Sequence, residues 1–171
     1  MREGVNEQRA LFGAGCFWGV QYYFDQVPGV NETVVGYSGG YTVDPSYEEV
    51  CRGDSGHAEV VLLYFDTNVV DYQMLLRHFL RLHDPTQLNR QGPDVGSQYR
   101  SAVYYYDEEQ KELAKSVLQK AQSSYDSPIV TQLAPAGDFY RAEQYHQSFT
   151  ERTGRGMCHV DYQPIETSAS D

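Results

Sequence analysis

The order in which strand-like and helix-like segments alternate predicts an α+β fold: a ferredoxin-like two-layer α/β sandwich with a mixed sheet and additions at the C-terminus. Three observations carry that expectation. Apolar or β-branched runs stand at 9–12, 30–37, 58–65 and 101–106, each bounded by turn residues. Helical patterns fall after the first and third of these runs, giving the order β-α-β-β-α-β. The length of 171 residues suits one domain built on one core, spanning 1–171 with a flexible tail at 164–171.

The elements follow in order. The first strand, 9–12, ends in glycines, and a helix over 17–26 is stopped by Pro28-Gly29. The second strand closes at Ser38-Gly39-Gly40, and the polar stretch 41–57 reads as a long loop. After the third strand, Asp71 caps a helix to Leu82, in which Met74, Leu75, Phe79 and Leu82 recur at helical spacing. A second long loop, 85–100, turns at Gly92-Pro93-Asp94. Asp107 then caps a charged helix reaching Gln122, a strand follows at 129–133, and a short helix at 143–150. Unstructured loops of this length in compact domains are usually functional or disordered, which makes both worth searching for chemistry.

Composition removes several classes of function. Thirteen Lys and Arg against 24 Asp and Glu give a formal charge of −11, which disfavours nucleic acid and anionic membranes as partners. No apolar run approaches membrane-span length, and residues 1–8 lack the core of a signal peptide. Three widely spaced cysteines make neither a secreted disulfide framework nor a zinc site. The expectation is a cytoplasmic monomer with no metal and no cofactor, in which any disulfide is transient.

The densest chemical signal is Gly13-Ala14-Gly15-Cys16-Phe17-Trp18-Gly19. A strand, a glycine turn and a helix beginning beside Cys16 place its sulfur where unpaired N–H groups and the helix dipole favour the thiolate. The same pattern also suits a small buried hydrophobe between glycines. His57, His83 and His146 lie in no hydrolase signature beside it. His83 and His146 read as loop and helix-surface residues that order hydrogen bonds.

Gly15-Cys16-Phe17-Trp18-Gly19 resembles the active-site signature of the A-type peptide methionine sulfoxide reductases. The resemblance continues through 35–40, 56–60, 83–86, 94–101 and 142–147, so it covers nearly the whole chain. It implies the same class of two-layer architecture and reduction of methionine-S-sulfoxide, protein-bound or free, for protein repair. Cys16 matches the family's nucleophile and Glu59 its proton donor. Tyr47 and Tyr99 match the tyrosines that hydrogen-bond the sulfoxide oxygen, and Asp94 the second acidic residue of the pocket. Phe17 and Trp18 match the apolar wall for the S-methyl group. A sulfenic acid on Cys16 condenses with a second thiol. The family places its resolving cysteine at Cys158, between the flexible glycine-bearing stretch 154–157 and His159; Cys51, among acidic neighbours, is the other candidate. Thioredoxin is the implied reductant.

Two other readings use the same residues. A thiol peroxidase would need an activated and a resolving cysteine, but not Glu59 with two tyrosines. A non-catalytic module for oxidised-methionine segments would bind without turnover.

Overall fold

The computed structural model describes residues 6–155. Its centre is a six-stranded mixed sheet, and the reason lies in the alternation of the strands. In β1 (Glu7–Ala14), Ala10, Phe12 and Ala14 face one way and Leu11 the other, and both sets are buried. β2 (Val30–Ser38) and β3 (Ala58–Asp66) alternate in the same manner, with Val35, Tyr37, Val61, Leu63 and Phe65 on the face shared with Phe12. β3 pairs antiparallel with both β1 and β2, and β6 (Ser101–Tyr105) pairs antiparallel with β1. The central order is therefore β6-β1-β3-β2, the ferredoxin-like arrangement of the sequence reading.

Helices cover the Phe12 face. α1 (Phe17–Asp25) contributes Phe17, Val20, Tyr23 and Phe24, and α3 (Tyr72–Arg81) contributes Leu75, Leu76 and Phe79. Phe12 lies 5.0 Å from the Phe79 ring and 5.9 Å from that of Phe24, so one phenyl joins both helices to the sheet. Truncating such a side chain to Ala costs about 3–5 kcal/mol. α4 (Glu108–Ala121) packs beside α3 through Ala114 and a half-buried stripe. Asp71 and Asp107 accept from Met74 N–H and Gln110 N–H, so both expected caps start their helices. Among the described residues no helix is long and apolar enough to cross a membrane.

The outer elements depart from the expectation. The stretch 41–57 is not all loop: Ser46 and Glu49 form a capping box that starts α2 (Tyr47–Cys51). The stretch 85–100 contains a hairpin of β4 (Arg90–Gln91) and β5 (Asp94–Val95), then a single 3-10 turn at Ser97–Tyr99. The strand expected at 129–133 begins later, as β7 (Gln132–Pro135), parallel to β6. Ile129 N–H donates to Gln122 and Val130 N–H to Pro85, which holds those residues off the sheet. β8 (Phe139–Arg141) adds an edge strand to β2. The last expected helix is divided into a 3-10 turn, Gln144–His146, and α5 (Phe149–Thr153), because Ser148 adopts a left-handed conformation (φ +55°) between them.

This topology positions the site. β1 runs antiparallel to β3 and β6, so the end of β1 lies beside the starts of β3 and β6. The end of β2 joins them, with Tyr37 opposite Glu59. Cys16, Glu59, Tyr37 and the approach to Ser101 thus meet at one end of the sheet.

Candidate active site

Cys16 occupies the N-cap of α1, one residue after Gly15, whose φ of +93° makes the turn out of β1. It is 8% exposed, so the sulfur sits at a surface that is only just open. The first free amide of α1, Phe17 N–H, donates to Glu59 Oε1 at 3.1 Å. A carboxyl from the neighbouring strand therefore caps the helix that carries the thiol, and Glu59 itself is 1% exposed. Burying a carboxyl this deeply costs free energy unless partners compensate, which marks it as a placed group.

The tyrosines complete the ring. Tyr99, at the end of the 3-10 turn, holds its phenolic proton well beyond the ordinary range. Burial is the main cause, followed by the nearby charges of Glu59, Cys51, Asp94 and Cys16. Tyr47 is shifted in the same direction by burial, by a hydrogen bond with Cys51, and by Glu59. Both phenols are therefore kept as donors at any physiological pH. Asp94 reaches the same cluster from β5, and its Oδ2 is buried with no hydrogen-bond partner among the described residues.

The apolar side is built by α1 and the last turns. Phe17 is 1% exposed, with its ring 5.7 Å from Tyr37 and 5.3 Å from His146. Trp18 is half-buried, stacks on Phe149 at 4.0 Å, and donates its indole N–H to His146 Nδ1 at 2.9 Å. The structure thus brings together Cys16, Phe17, Trp18, Tyr47, Glu59, Asp94 and Tyr99. Cys158 lies outside the described residues.

Some members of this neighbourhood carry little local signal. Cys51 shares a hydrogen bond with Tyr47, and its thiol pKa is raised, chiefly by burial. Their spacing of four on α2 was the available clue. Glu143 accepts from Tyr37 Oη (2.9 Å) and Tyr47 N–H (3.0 Å), so it ties the start of α2 to β2. Those hydrogen bonds hold its carboxyl below the usual range against the opposing effect of burial. His146 is 1% exposed, not a helix-surface residue, and His83 is buried as well. Among the described residues no cluster of His, Cys, Asp or Glu could hold a metal ion.

A helix-terminal thiol facing a buried carboxyl and two protonated phenols, on this sheet, is the architecture of a thiol-based oxidoreductase. Residues 8–171 match the family model described as peptide methionine sulfoxide reductase. A peptide methionine sulfoxide reductase MsrA of Acinetobacter baumannii (strain AYE) is 51% identical over 158 residues, covering 92% of this chain and 91% of that one. The crystal structure of reduced Mxr1 from Saccharomyces cerevisiae superposes with a TM-score of 0.87 at 28% identity, covering 94% of this chain and 95% of the other. Mxr1 in complex with Trx2 superposes with a TM-score of 0.62 at 18% identity, covering 87% of this chain and 88% of that one, which speaks for the fold alone. The chain belongs to the peptide methionine sulfoxide reductase family, and its activity is the reduction of methionine sulfoxide.

Proposed function

We propose that the reaction is the reduction of methionine-S-sulfoxide, free or in proteins, with Cys16 as nucleophile and Glu59 as proton donor. The observation that carries this reading is the meeting of Cys16, Glu59, Tyr47 and Tyr99 at one sheet end. The Cys16 thiolate attacks the sulfoxide sulfur while Glu59 protonates the oxygen, which is otherwise a poor leaving group. Burial is the condition under which a carboxyl retains a proton to give. Tyr47 and Tyr99 donate hydrogen bonds to the same oxygen, and Asp94 orients water or substrate. Phe17 and Trp18 receive the S-methyl group.

The protonated oxygen leaves as water, joining Cys16 Sγ to the substrate sulfur as a sulfonium. Water then attacks Cys16 Sγ, that S–S bond breaks, and methionine departs with the electron pair, leaving Cys16 as a sulfenic acid. The sulfenic acid condenses with the Cys158 thiol, releasing water and leaving a Cys16–Cys158 disulfide. Thioredoxin, a dithiol, returns both cysteines to thiols by exchange, the reductant that the family resemblance implies. We read the chain as one catalytic domain, a monomer acting in the cytoplasm.

The test is a single turnover without external reductant, using each sulfoxide epimer and read by intact mass and thiol mapping. The expected product is a Cys16–Cys158 disulfide with the S epimer only, and a lasting sulfenic acid in Cys158→Ser. A disulfide through Cys51 would replace the resolving residue. Unchanged thiols with both epimers would sink the assignment.

A further inference from the structure

His146 is absent from the chemistry above, yet four aromatic rings surround it. Trp18 and Phe17 come from α1, Tyr47 from α2, and Tyr145 from its own turn, with centroids at 5.6, 5.3, 4.5 and 4.1 Å. We propose that His146 is a positioning residue: a neutral imidazole, protonated on Nε2, that holds the Trp18 indole in place as the wall of the substrate pocket. The proposal rests on the reading of Trp18 as that wall.

The tautomer follows from hydrogen-bond chemistry. An indole N–H can only donate, so the 2.9 Å contact requires a lone pair on His146 Nδ1. The single proton of the neutral ring then resides on Nε2, which is buried and has no hydrogen-bond partner among the described residues. An imidazolium would carry protons on both nitrogens and set Nδ1–H against the indole N–H. Burial lowers the His146 pKa, against the opposing pull of Glu143 from the preceding turn and Glu48 from α2. Tyr47 and Tyr145 are the other titratable groups against the ring, and both hold their protons.

Among the described residues Trp18 also stacks on Phe149 and packs against the edge of the core. The stack fixes the plane of the indole but leaves it able to slide. The bond to Nδ1 removes that freedom, and a preformed wall lowers the ordering cost of binding. Glu143 and His146 therefore act as a pair from one turn: the first anchors the helix bearing Tyr47, the second anchors the pocket's indole.

Trp18 is the chain's only tryptophan, so its indole N–H gives one unambiguous signal in a 1H–15N spectrum. The expected wild-type signature is a downfield, exchange-protected indole proton, with long-range couplings that place the imidazole proton on Nε2. His146→Phe should move that signal towards a free indole. It should also raise KM for a blocked methionine-S-sulfoxide peptide roughly three- to tenfold, the range of one lost hydrogen bond, and change kcat less. His146→Gln, whose amide oxygen can accept, should restore part of both. An indole signal and KM that are both unchanged in His146→Phe would overturn the proposal. If that variant does not fold, acidifying the wild type through the histidine's titration is the substitute, and an indole signal that stays still would overturn it equally. An unchanged KM in Trp18→Phe, with the wild-type indole signature intact, would fail the pocket reading and leave the histidine's hold on the indole standing.

Discussion

Two buried polar clusters lie on this sheet, and they are finished differently. Beside α3, His78 Nδ1 pairs with Tyr23 Oη at 2.7 Å, and His83 bridges Phe79 O (2.6 Å) and Ser101 Oγ (2.7 Å). Ser101 passes the chain on to Thr131 Oγ1, also at 2.7 Å. Around Cys16, by contrast, Asp94 Oδ2 and His146 Nε2 are buried without partners among the described residues. Closed networks rigidify a fold, whereas a group of polar atoms left with unused capacity is suited to a ligand that supplies the missing bonds. An orphan alone means little: among the described residues the Tyr72 hydroxyl, near Asp107 and Tyr106, is also buried without a hydrogen-bond partner. Convergence is what separates the two regions.

Substitutions can break that comparison, and Cys16→Ser should do so most severely. Methionine sulfoxide turnover should fall by at least about 10³-fold, the scale of losing a nucleophile, while far-UV circular dichroism stays unchanged. Residual turnover near wild type would move the chemistry elsewhere. Next, Glu59→Gln keeps an acceptor for Phe17 N–H and removes the acid, so the rate should drop roughly 10²-fold or more with the melting temperature nearly unmoved. A rate equal to wild type across the pH range would return Glu59 to a purely capping role.

The closed network should respond in the opposite way. His83→Leu leaves Ser101 Oγ and Phe79 O without this partner, and should cost about 2 kcal/mol in urea unfolding while kcat per folded molecule holds. A loss of activity without a loss of stability would erase the distinction between the clusters.

The smallest effect concerns pH. Burial, then the charges of Arg81 and Arg77, lower the His78 pKa from 6.5 to about 4. The folded state therefore binds fewer protons than the unfolded state between those values. This contribution is whole above about pH 6.5 and shrinks as pH falls towards about 4. His78→Gln should flatten that slope in stability measured against pH; an equally steep slope would assign it to other groups.

Local sequence chemistry was enough for much of the frame. Asp71 and Asp107 announce their helices because a cap acts within three residues, and the central strands announce themselves by composition. Ser46 and Glu49 carried the same kind of signal, and α2 was hidden only by the polar, turn-rich residues around it. β8 and the divided last helix had no such marker. Gln147 reaches back 112 residues to both backbone groups of Val35, a contact that no local window contains. Cys16 could be singled out from its own neighbours, whereas Glu59, Tyr47, Tyr99 and Asp94 came from family resemblance. Their grouping depends on strand register and a distant turn. His146 escaped for the same reason.

The long reach of the last turns has a temporal side. Trp18 precedes its partner His146 by 128 residues. At ordinary rates of synthesis, about 5–20 residues per second, roughly 6 to 26 s separate the two on the ribosome. Throughout that interval the thiol segment exists without Glu143, His146 or Phe149 above it. The nascent chain therefore carries the indole beside Cys16 without its anchor until the final turns close over it.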